Sequence, residues 1–136
     1  EKIDELAGCR IKNAHLYNKL LSSIQGVIIP PCAEWAKNVY WMYGILINEK
    51  FGIGRDKLRE KLLEAGIETR SFFVPMHQQP VYKKHNKKFP NVPDTKGKFP
   101  VSAYLGSNGL YLPSSSHLNK EDITYIVDTI KSLKIE

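Results

Sequence analysis

Apolar residues recur at three- and four-residue intervals along the opening of the chain, at Ile3, Leu6, Ala14, Tyr17, Leu21 and Ile24, with Arg10 interrupting the series. That period belongs to one side of an α-helix. Gly26 marks its end, and Pro30 and Pro31 lie beyond it. No Ser, Thr, Asp or Asn stands ahead of Ile3 as a cap, so the helix is expected to start in mid-course, as in a chain cut from something longer. The pattern changes at Val39–Ile47. VYWMYGILI is apolar on both faces, which predicts a strand buried on two sides or nearly so. FGIGRDKLREKLLEAG returns to a helix. Asp56 lies in its first turn, Leu58, Leu62 and Leu63 form an apolar stripe, and Gly66 closes it. GIETRSFFV, from Gly66 to Val74, reads as a second strand. The order strand, helix, strand invites a crossover unit without fixing strand direction.

Periodicity then lapses. Pro75, Pro80, Pro90, Pro93 and Pro100 punctuate a long connection, and such a connection in a small domain is usually functional or mobile. Pro100 to Leu105 suits a short helix with proline at its first position. Gly109 to Leu112 suits a third short strand. LNKEDITYIVDTIKSL is amphipathic: Asn119 is placed to cap it, Glu121 and Asp122 favour the N-terminal dipole, and Ile123, Ile126, Val127, Ile130 and Leu133 share a face. The fold class expected is α+β, a small three- to four-stranded sheet with helices packed on it.

Composition narrows the function. The 136 residues suit one domain, and 42% hydrophobic with 25% charged residues exclude a disordered chain. The longest apolar run is strand-length, so no membrane partner is expected. The opening EKIDEL does not read as a secretory leader, and a cytoplasmic location is expected. Cys9 and Cys32 read as free thiols, and the histidines and cysteines lack the paired spacing of a metal site. The net charge of +6 is concentrated in KKHNKKFPNVPDTKGK, Lys83 to Lys98, with six lysines and one aspartate. A nucleic-acid footprint would have this charge. Stacking aromatics are not interleaved with the lysines, so a solvated loop is the preferred reading and no nucleic-acid partner is expected.

Candidate chemistry is sparse. Ser114, Ser115 and Ser116 precede His117, but adjacent side chains diverge and do not make a catalytic pair, so a polar turn is expected there. FGIGRD holds only part of a dinucleotide fingerprint and reads as a turn. VPMHQQPVY, Val74 to Tyr82, is more informative. Two prolines stiffen a loop that carries His77, Gln78 and Gln79, all able to donate and accept hydrogen bonds. A rigid loop at a strand end suits recognition of a hydroxyl, carbonyl or phosphate. It equally suits a surface histidine held by a backbone carbonyl.

Three spaced motifs carry a family resemblance. Gly66 to Arg70, Pro75 to Pro80 and Leu112 to Leu118 follow a G-I-x-T/S-R strand, a P-x-H-x-Q-P loop and an L-P-x-x-x-x-L turn. In this order they resemble the C-terminal part of the DegT/DnrJ/EryC1/StrS aminotransferases, pyridoxal-phosphate enzymes that aminate keto groups on nucleotide-linked sugars. The wording is most similar to perosamine-synthase-like members, which act on a GDP-linked 4-keto-6-deoxy sugar. The resemblance implies the small C-terminal domain of a fold-type I transferase, with residues 1–26 as an interdomain helix and 39–136 as the substrate-covering part. The large domain, with its Schiff-base lysine and pyridoxal phosphate pocket, would be absent. No catalytic residue and no bound cofactor would then be expected in this segment, which should be inactive alone. The resemblance makes His77, Met76 and Gln79 substrate-binding residues of one loop, with Met76 packed beside His77. It suggests Arg70 for the carboxylate of a glutamate-type amino donor, although a pairing with Glu68 would serve Arg70 as well. Tyr82 and Asn108 are weaker candidates. The full enzyme would be a homodimer. The rival expectations are a stand-alone basic module for RNA or another polyanion, and an assembly domain that kept the fold without the reaction.

Overall fold

The computed structural model describes residues 2–82, 97 and 99–135. The basic run Lys83–Lys98 therefore lies outside the described residues, Gly97 excepted. Helix α1 is Ile3–Leu21, and Ala14, Tyr17 and Leu21 are its buried positions. It ends three residues before the expected Ile24, which still reaches the core, and Gly26 turns the chain at φ +89°. Ile3 and Leu6, expected on the buried stripe, are exposed.

Strand β1, Val27–Ile28, was not expected, since two residues between Gly26 and Pro30 carry no period. Strand β2 is Tyr43–Ile47, shorter than the expected Val39–Ile47. Tyr43, Ile45 and Ile47 are buried while Gly44 and Leu46 are half-buried, so the strand is nearly buried on both sides, as expected. The aromatic run ahead of it leaves the sheet, because Tyr40 adopts φ +47° and Trp41 points largely to solvent.

Helix α2, Arg55–Glu64, buries Leu58 and Leu62, whereas Leu63 is exposed and not part of the stripe. Strand β3 is only Arg70–Ser71 within the expected Gly66–Val74. Helix α3, Pro100–Asn108, has proline in its first turn as expected and runs three residues past Leu105. Strand β4 is Gly109–Leu112. Helix α4, Lys120–Ser132, is closed at its start by a reciprocal cap: Asp122 N donates to Asn119 Oδ1 (2.8 Å) and Asn119 N to Asp122 Oδ2 (3.0 Å).

The four strands form one sheet in the order β1-β2-β4-β3 with every neighbouring pair antiparallel. Since β2 and β3 both oppose β4, they run parallel to each other. The β2–α2–β3 connection is thus a crossover that leaves room for β4 between its strands. Tyr43, Ile45, Leu110 and Leu112 lie on one face through the pairs Tyr43↔Leu112 and Ile45↔Leu110. There they meet Tyr17 and Leu21 of α1, Leu58 and Leu62 of α2, and Ile123, Val127 and Ile130 of α4 in a single core. The architecture is α+β, as expected.

Candidate functional site

The antiparallel pairing brings the start of β2, the start of β3 and the end of β4 to the same end of the sheet. A cavity of about 500 Å³ opens there between the strand ends and α4. Met42, Ile67, Tyr111, Leu118 and Ile126 give it apolar walls, and its charged lining residues are Arg70, Glu68 and Asp122. Arg70 is exposed and pairs across the sheet with Tyr111. Its guanidinium makes no hydrogen bond or ion pair with the described residues, Glu68 included. An unpaired guanidinium beside apolar walls suits a carboxylate-bearing molecule, which it can hold through two parallel hydrogen bonds.

The mouth of this cavity is fixed from α1. Arg10 Nη1 donates to Trp41 O and to Ser114 O, both at 2.8 Å. Asn13 Nδ2 reaches Ser115 O (3.2 Å) and Leu118 O (3.3 Å), and Tyr17 Oη donates to Pro113 O (3.0 Å). In the sequence Arg10 stands only as a break in an apolar stripe. Its spacing of three and seven residues to Asn13 and Tyr17 is the available signal, but the carbonyls it serves are 31 and 104 residues away. Nearby, Tyr40 N donates to Asn38 Oδ1 (2.8 Å), closing a side-chain turn around the left-handed Tyr40. Such a conformation costs a bulky residue roughly 1–2 kcal/mol. The buried Tyr40 ring, edge-on to His15 at 6.2 Å, is one contact that offsets it.

Beyond Ser71 the chain leads away from the cavity. Extended backbone carries it as much as about 16 Å from Arg70 to Pro75. There Met76–Gln78 form a tight turn, with Gln78 N donating to Pro75 O (2.9 Å) and Gln79 N to Met76 O (3.1 Å). Gln79 Nε2 donates to Val74 O at 3.0 Å, bonding the far side of the loop to its near side. His77 is half-buried, and its ring lies 4.9 Å from that of Phe99. Pro75 packs so closely on Gly106 of α3 that a Cβ at Gly106 would come within 2.7 Å of the proline ring. Met76 is 69% exposed beside this built loop. The structure thus places Arg70 in the cavity and gathers Met76, His77 and Gln79 on a separate rigid loop. Tyr82 ends a second short turn after that loop, and Asn108 bonds back to Tyr104 O at 2.9 Å.

The serine-rich segment is the polar turn expected. Ser115 Oγ lies 3.2 Å from His117 Nδ1 and also accepts from His117 N, with both residues exposed. Among the described residues no cluster of His, Cys, Asp and Glu could hold a metal, and no helix is long and apolar enough to cross a membrane. Cys9 and Cys32 are free thiols.

The sequence pattern of the DegT/DnrJ/EryC1/StrS aminotransferase family matches residues 1–131. The chain belongs to this family. It is 30% identical over 130 residues to a GDP-perosamine synthase of Escherichia coli O157:H7, covering 96% of this chain and 32% of that protein. A GDP-perosamine synthase of Caulobacter vibrioides is 26% identical over 136 residues, covering 99% and 34%. The crystal structure of S. venezuelae DesV in complex with a ketimine intermediate superposes with a TM-score of 0.83 at 23% identity, over 99% of this chain and 34% of that one. The chain spans about a third of the length of the curated relatives it matches. The chain therefore shares its fold with about one third of the DesV chain. Among the described residues the cavity walls hold no lysine, so these residues do not fit the Schiff-base end of pyridoxal phosphate; Arg70 is the group there that can take an anion, beside the carboxyl groups of Glu68 and Asp122.

Proposed function

We propose that this chain is the substrate-covering domain of a pyridoxal-phosphate aminotransferase that moves an amino group, with glutamate as donor, to a nucleotide-linked keto sugar such as GDP-4-keto-6-deoxymannose. The observation that carries this reading is the rigid loop around His77, clamped by Gln79 on Val74 O and seated on α3, in a chain that the family pattern matches from 1 to 131. His77 is assigned to hydrogen-bond the sugar, with Met76 packed against it. Arg70 is assigned to the donor carboxylate, for which its unpaired guanidinium is suited. Gln79 acts by holding the loop. Pyridoxal phosphate, when bound, supplies the electron sink for amino transfer. It is assigned to the part of the longer protein that this chain does not contain, together with the Schiff-base lysine. This chain alone is accordingly assigned no turnover. The reading also carries a homodimer and a cytoplasmic location.

The test is amination of GDP-4-keto-6-deoxymannose by the full-length protein with glutamate. On this reading His77→Ala lowers kcat/KM for the sugar by about 10- to 100-fold, the loss expected for a buried polar contact to substrate. Arg70→Ala raises KM for glutamate and leaves KM for the sugar near its original value. Full activity in His77→Ala returns His77 to a structural role. No amination by the unaltered protein rejects this substrate.

A further inference from the structure

We infer that Arg10 is a positioning residue for the Arg70 cavity, acting through the two strand ends that form its mouth. Tyr43↔Leu112 is the last pair of the β2–β4 ladder at this end. Past it the two strands separate, and Met42, Pro113 and Ser114 become cavity wall. The next pair outward but one would be Trp41 opposite Ser114. Arg10 Nη1 stands in that place and donates to both carbonyls at 2.8 Å. One guanidinium thus replaces the missing rung and sets how far the ends splay. Asn13 and Tyr17, on the same side of α1, hold the rest of the turn through the Ser115, Leu118 and Pro113 carbonyls. This regular helix grips a loop that has no ladder of its own. The charged donor makes the strongest of these contacts. Tyr40 points the same way: its left-handed turn delivers the Trp41 carbonyl to Arg10, and such strain persists only where the surroundings enforce it. Arg10 touches no cavity ligand itself. It sets the position of Ser114 and Met42 across from Arg70, and through them the width of the site.

Assigning a donor to that cavity rests on the reading above, so the test has one readout that depends on it and one that does not. Hydrogen exchange of the chain is compared for the unaltered protein, Arg10→Ala and Arg10→Lys. Faster exchange in Arg10→Ala confined to the amides of 114–118 and 41–43, with α2 and β1 unchanged and Arg10→Lys intermediate, supports the inference. Unchanged exchange in those two segments overturns it, whatever the substrate proves to be. In the full-length enzyme, Arg10→Ala is expected to raise KM for glutamate about tenfold with kcat within a factor of about two and KM for the sugar unmoved. An equal fall in kcat for both substrates, or an unchanged KM for glutamate where Arg70→Ala does raise it, overturns the positioning role. If Arg70→Ala also leaves that KM unchanged, the donor assignment fails and the exchange comparison alone decides on Arg10. Should Arg10→Ala not fold, Arg10→Lys and Asn13→Ala carry the same comparisons.

Discussion

Phe72 lies almost flat on Tyr111, with ring centroids 4.4 Å apart and planes 23° from parallel. The stack covers the sheet face opposite the core, and two glycines permit it. A Cβ at Gly109 would collide with the Phe72 ring, and one at Gly44 would meet it at 2.7 Å. Gly109→Ala is therefore expected to displace the ring and cost about 1–3 kcal/mol of stability. The same substitution in a Phe72→Ala background should cost far less, because the obstructing ring is gone. Urea denaturation of the four proteins of this cycle checks it. Equal costs in both backgrounds would show that the ring does not set the requirement for glycine.

Tyr17 and Tyr43 make the alkaline limit of the fold calculable in sign. Their rings stack at 4.7 Å in the core. Burial is the main cause that pushes both phenols above their ordinary value of 10.0, with the Asp122 charge adding for Tyr17, and Tyr40 and Tyr17 adding for Tyr43. The folded state therefore keeps protons that the unfolded chain releases. The associated stability is fully present below the unfolded value and is lost as pH rises toward the folded values. Chemical denaturation between about pH 8 and pH 11 should show a steepening loss above about 10. Tyr43→Phe should make that loss shallower. A slope identical to that of the unaltered chain would mean that Tyr43 ionises normally in the fold.

Asn119 closes the first turn of α4 in both directions with Asp122. Asn119→Ala removes one acceptor and leaves an orphan N–H, at a cost of about 1 kcal/mol. Asn119→Ser should retain most of the stability, since its oxygen also accepts. Thermal melts of the three proteins give the ranking. A melt of Asn119→Ala indistinguishable from the unaltered chain would show that tertiary packing alone starts the helix.

The elements that sequence patterns foretold are those whose information is local. Helix α4 was complete in the text: cap, acidic first turn and apolar face all fall within about four turns of helix. The strands were less legible, because a strand is set by its partner. Val39–Trp41 has strong β preference, yet the ladder stops at Tyr43, where the partner strand reaches Leu112 and then turns away at Pro113. Gly66–Val74 shrank to Arg70–Ser71 because β4 offers only four residues to pair with. The His77 loop was legible because two prolines and a glutamine three residues after Met76 write its shape locally. The cavity was not, since Arg70, Met42 and Ser114 meet only after the sheet forms. Arg10 was hidden for the same reason: its partners are 31 and 104 residues away.

Gln79 separates two roles that the loop motif leaves together. Its Nε2 donates to Val74 O at 3.0 Å, so the side chain acts as a strut across the loop that holds His77. Gln79→Glu keeps the shape but replaces a donor with a carboxylate, which faces the Val74 carbonyl as a second acceptor. If Gln79 is a strut, Gln79→Glu should weaken sugar binding at least as much as Gln79→Ala, and both should speed amide exchange from 76 to 79. The loss per variant should be about 1 kcal/mol, the net worth of one neutral hydrogen bond, plus the repulsion in the glutamate variant. If Gln79 instead contacts the sugar hydroxyls directly, a carboxylate can still accept from them. Gln79→Glu should then retain more activity than Gln79→Ala, with loop exchange unchanged. The order of the two variants in kcat/KM for the sugar, read beside the exchange rates, decides between these roles without disturbing His77.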